Sequence, residues 1–106
     1  LRNSGNPVYG TSGGGPTTDK LFLLSIADAD QYFTDDTARV GANTAYAVDQ
    51  GAYDNGGIGW WWLRSPGTDS NIAADVNAYG DIDEYGINVD NDISAVRPAL
   101  WINLAS

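Results

Sequence analysis

A chain of 106 residues is long enough for one small domain with a single core, and its fourteen acids against five bases give a net charge of −9 that disfavours nucleic-acid and anionic-membrane partners. The absence of Cys excludes disulfides and thiol nucleophiles, and the absence of His removes the usual general base and zinc ligand. No run approaches the roughly 20 apolar residues of a membrane helix, the longest compact apolar pieces being LFLL and WWWL, so no membrane insertion by this segment is expected.

The chain opens on LRNSGNPVYGTSGGGPTTDK and contains no Met, which reads as a piece of a longer product. Residues 1–18, rich in Gly, Ser, Pro and Asn, read as an irregular, partly mobile arm, and residues 19–106 as the domain proper. KLFLLS, Lys20 to Ser25, has the length and apolarity of a short buried strand. Ser25 then caps a helix over Ile26 to Phe33, with Asp28 completing the capping-box spacing. A second helix is expected from Ala45 to Gln50, capped by Thr44 and stopped by Gly51.

After a loop through AYDNGGIG the pattern turns to β. WWWLRS is a strand ending at a Pro66-Gly67 turn, followed by the strand AADVN, a turn through NAYGD, the strand IDEYGINV with Gly86 as a bulge, and a turn through DNDIS. The closing AVRPALWINL contains Pro98, which cannot donate to a ladder and so belongs at a sheet edge or bulge.

Side-chain alternation divides the segment 68–94 into two sets. Val76 inward sends Asp75 and Asn77 to solvent, and Val89 inward does the same for Asn88 and Asp90. Ile82 anchors the second strand, while Gly80 and Gly86 supply backbone freedom at the turn and bulge. The polar set is Asp75, Asn77, Tyr79, Asp81, Asp83, Tyr85, Asn88, Asp90, Asn91 and Asp92. The frame is Trp61, Arg64, Val76, Gly80, Ile82, Gly86, Val89 and Arg97. Tyrosine adds rigid contact area at low entropic cost, and Asn, Asp and Ser add adaptable hydrogen bonds, so the polar set suits a binding surface.

Other chemistries fit less well. Trp60, Trp61, Trp62 and Trp101 invite a sugar-stacking platform, but alternation separates Trp61 from Trp60 and Trp62, so a core role is preferred. Arg64 and Arg97 sit inside hydrophobic blocks, where a guanidinium ties loop carbonyls or an Asp together. Asp81 to Asp92 partly matches a calcium loop, with Gly86 at its sixth place, yet the spacing says strand and no helices flank it, so no metal or other cofactor is expected. Ser65 lacks a nucleophile-elbow context, and without His there is no ordinary base to activate it.

The blocks TTDKLFLLS, TAYAV, WWWLRSPG and VRPALWINL, in this order from roughly Tyr9 to Leu104, resemble a bacterial domain family with a C-type-lectin-like fold that includes the variable proteins of diversity-generating retroelements. The resemblance implies an α+β C-type-lectin-like fold, with short helices packed on small antiparallel sheets. It implies a hypervariable surface that binds a protein or other surface ligand, on a protein that is phage-associated, secreted or held at a cell surface. In such systems adenines of a template are randomised, typically in Asn codons, which reach Asp, Tyr, Ser and other small residues but not Lys, Glu, Gln, Met or Trp. Of the 27 residues in 68–94, 14 are Asn, Asp, Tyr or Ser, and Glu84 alone departs from the expected set. The fold is also similar to formylglycine-generating enzymes, whose chemistry depends on cysteine, so no enzymatic activity is expected here. A fixed adhesion or carbohydrate-binding module is the alternative, with a hydrolase or metal-dependent enzyme a distant third.

Overall fold

The computed structural model describes residues 3, 5–18 and 21–101. It is a small α+β structure in the order α1 (Ile26–Tyr32), α2 (Asp36–Arg39), β1 (Gly41–Ala42), α3 (Ala45–Asp49), β2 (Ile58–Gly59), β3 (Trp61–Pro66), β4 (Ile72–Val76) and β5 (Ile82–Asn88). The strands form two antiparallel sheets, β1-β2 and β3-β4-β5. Among the described residues no helix is long and apolar enough to cross a membrane.

The capping box forms as read. Ser25 Oγ accepts the Asp28 N–H at 3.0 Å and the Asp28 carboxylate accepts the Ser25 N–H at 3.1 Å. Buried Ser65 accepts the Ile26 N–H at 2.9 Å, so the Ser of LRSPG satisfies an orphan donor of α1. Thr44 caps α3, and Gly51 follows it at φ +100°. The two-residue sheet and α2 carry no strong sequence signal. Both are a turn or less of structure set by their neighbours.

One face of the three-stranded sheet packs on α1. Ile26 and Ala29 meet Trp61 and Leu63 of β3 and Ala74 and Val76 of β4, with Leu24, Phe33 and Ile82 around them. The alternation along β3 is strict: Trp61, Leu63 and Ser65 are buried, whereas Trp62, Arg64 and Pro66 are half-buried. Arg64 ties this second row to the helix cap, donating to Asp28, to the Leu23 carbonyl at 2.7 Å and to Asn3 at 2.9 Å.

The strand expected over KLFLLS is corrected. Lys20 lies outside the described residues, and Leu21 to Leu24 make a single bridge, Phe22 to Ala99, before Leu24 O turns to accept the Arg64 N–H at 2.8 Å. Different partners two residues apart prevent a continuous ladder. The C-terminal segment divides likewise between Trp61, which Ala95 meets in parallel, and Phe22, while Ile102 to Leu104 lie outside the described residues. Trp101, expected in the core, is 73% exposed because the bridge at Ala99 holds this segment on the outside, where its ring leans on Phe22 and Tyr32.

Candidate functional site

The polar segment is carried at three places along β5, which is an edge strand. The first is the turn from Asn77 to Asp81. Asn77 Oδ1 accepts the N–H groups of Tyr79 and Asp81 at 2.9 and 3.1 Å, and Gly80, at φ +85°, closes the turn onto Asn77 O. Below it the buried Arg39 donates Nε to Gly80 O at 2.8 Å and its other nitrogens to Phe33 O and Asp36. Tyr79 stands on this stitched turn with 72% of its surface exposed. Asn77 itself is half-buried, and its oxygen is spent on the turn.

The second place is a bulge. A two-residue step on β4, Ala73 to Asp75, faces a four-residue step on β5, Ile87 to Asp83, so Glu84, Tyr85 and Gly86 bow outward. Gly86 is required there, since its φ is +83° and a Cβ would collide with the Ala73 carbonyl. Tyr85 is 58% exposed and meets Tyr9 of the N-terminal arm edge to face at 6.0 Å. The arm, expected to be partly mobile, is pinned to the bulge by Asn6. This buried amide donates to Glu84 O at 2.6 Å and Pro66 O at 3.0 Å, while its oxygen accepts the N–H groups of Val8 and Tyr9. Asn6→Ala is expected to cost about 1–3 kcal/mol, because it strands two carbonyls and releases Tyr9. A thermal melt together with amide exchange at the arm checks this.

At the third place, the turn after β5, Asn88, Asp90, Asn91 and Asp92 are all exposed. Val89 is not an inward frame residue: it is 59% exposed, since the strand ends at Asn88 and alternation no longer governs it. Among the described residues no group of three metal-ligating side chains comes together.

Asp75 is the main departure. Alternation places it outward, yet it is 0% exposed, and neither carboxylate oxygen meets a hydrogen-bond donor among the described residues. The reason is its place on the middle strand, between Trp62 of β3 and Asp83 of β5, on a face that is itself covered. Burial, reinforced by the neighbouring Asp83 carboxylate, pushes its carboxyl up to about 8. At neutral pH Asp75 is therefore mostly protonated, while Asp83, its register partner on β5, accepts the Gly86 N–H on Oδ1 at 3.2 Å. The segment 68–94 holds seven acids and no base, and with Asp75 neutral its charge is about −6 rather than −7.

The displayed set thus reduces to Tyr79, Asp81, Tyr85, Asn88, Asp90, Asn91 and Asp92. Asp83 is half-buried and holds the bulge. These side chains are strung along an edge of about 20 Å rather than gathered into one pocket. Beside it, a cavity of about 380 Å³ between the arm, α1 and β5 has an apolar floor of Ile26 and Ile82 and carries Asp30 and Glu84. Asn6, Tyr9 and Arg39 escape the sequence reading. The one available signal was the Asp36-to-Arg39 spacing, which suits a helical ion pair.

No curated protein and no solved structure matches the chain. A family model does match residues 1–104, and by that match the chain belongs to the DUF6273 family, described as a domain of unknown function.

Proposed function

We propose that this chain is a ligand-binding domain of C-type-lectin-like organisation whose β5 edge displays a variable surface to another protein, as in the variable proteins of diversity-generating retroelements. The observation that carries the reading is the pair of exposed tyrosines, Tyr79 at 72% and Tyr85 at 58%, each set on a turn or bulge whose backbone is fixed by buried groups. Aromatic side chains held rigidly in the open are the usual anchors of protein interfaces. Around them Asp81, Asp90 and Asp92 favour a partner with a basic or donor-rich surface. The neighbouring cavity suits a basic side chain, whose stem would lie on Ile26 and Ile82 with its charge between Asp30 and Glu84.

The burial of Asp75 narrows the proposal. A fully buried carboxyl on the middle strand does not suit free variation, so the variable set is the exposed seven. Sequencing the DNA around the gene tests diversification. A near-copy of the segment encoding residues 68–94, differing mainly at adenines and lying beside a reverse transcriptase gene, is the expected result. The absence of such a copy would leave a fixed adhesion module on the same edge.

A further inference from the structure

We infer that the cavity floored by Arg97 and Trp61 is a binding site for a small aryl carboxylate, separate from the displayed edge. Three cations fall among the described residues: Arg39 pairs with Asp36, Arg64 pairs with Asp28, and Arg97 has no acid beside it. In a chain with fourteen acids and five bases such a guanidinium stands out. Its Cζ sits near two rings set edge to face, 4.8 Å from the centroid of Trp61 and 5.1 Å from that of Phe33. Its hydrogen bond runs to Arg39 O and is long, 3.3 Å, and that oxygen already accepts the Trp61 indole N–H at 2.9 Å. A guanidinium carries five N–H donors in a planar fork, so most of the fork is left without a protein acceptor among the described residues.

The space beside the fork is a cavity of about 240 Å³ whose wall is Trp60, a ring braced by Tyr53 at 5.7 Å. No residue of 68–94 lines it. A carboxylate matches the fork in a bidentate manner, and a flat apolar body matches the indole wall. The volume lies below the roughly 300–1,000 Å³ of drug-sized sites, which limits the ligand to one ring.

The test is titration of the full chain with sodium benzoate, followed by ¹H–¹⁵N spectra at the Arg97 Nε–H and the Trp60 and Trp61 indole N–H. The expected result is saturable shifts at these groups, with neutral benzamide binding at least tenfold more weakly. Arg97→Gln should abolish the difference between benzoate and benzamide. Because Arg97 also stacks on the core, Trp60→Ala serves as a second variant that removes the wall and leaves the cation; it should weaken benzoate by about tenfold at unchanged Tm. Equal binding of benzoate and benzamide, or benzoate shifts that persist unchanged in Trp60→Ala, would overturn the proposal.

Discussion

Asp75→Asn is expected to raise stability at pH 8 and to remove most of the chain's dependence on pH between about 4 and 8. In the wild type the folded carboxyl titrates near 8 against an ordinary 3.8, so between those values the folded state holds a proton that the unfolded state has lost. The stability from this group is therefore complete below about 4 and drains away as pH rises, levelling off above about 8. The difference is on the order of 5 kcal/mol, comparable to the whole stability of many small domains. Melts across this range should show the wild-type Tm falling by roughly 20 °C or more, while Asn, which does not titrate, stays nearly flat. Because burial is the largest cause, Asp83→Asn should retain most of the slope. Below pH 4 Asp28 acts in the opposite sense. Its burial is outweighed by the Ser25 N–H and Arg64, which hold its carboxyl below 3.8, so the stability it lends is lost as pH falls through that lower value.

The second large effect is Trp61→Ala. The ring is 2% exposed, packs edge-on against Phe33 at 6.4 Å, supports Arg97 and donates to Arg39 O. Its removal opens a cavity, takes one of the two donors from Arg39 O and removes a ring beside Arg97, at a cost of about 3–5 kcal/mol. Tyr79→Ser or Asp90→Ser, by contrast, should change stability by no more than about 0.5 kcal/mol. Denaturant unfolding of these variants measures the contrast directly.

Local rules carried the reading wherever local forces decide the structure. The Ser25 and Thr44 caps, the alternation along β3, and the glycines at the Asn77–Asp81 turn and the β5 bulge depend on neighbours within a few residues. What escaped depends on long-range placement. Asp75 obeys its alternation, but the face it points to is covered because β4 is the middle strand, and strand order is not written in a single strand's pattern. Val89 lies one residue past the strand end, where a boundary error inverts its environment. Asn6 reaches 78 residues along the chain to Glu84, and no periodicity signals such a partner.

On the proposed function, seven displayed side chains rest on a frame that does not need them. This independence is tested most directly by a library in which Tyr79, Asp81, Tyr85, Asn88, Asp90, Asn91 and Asp92 are randomised together and sorted by resistance to proteolysis. Most members are expected to fold, with Tm values clustered near the parent, whereas a library randomised at Ala74, Asp75, Val76 and Gly86 should yield few folded members. A displayed-set library as depleted in folded members as the frame library would contradict it.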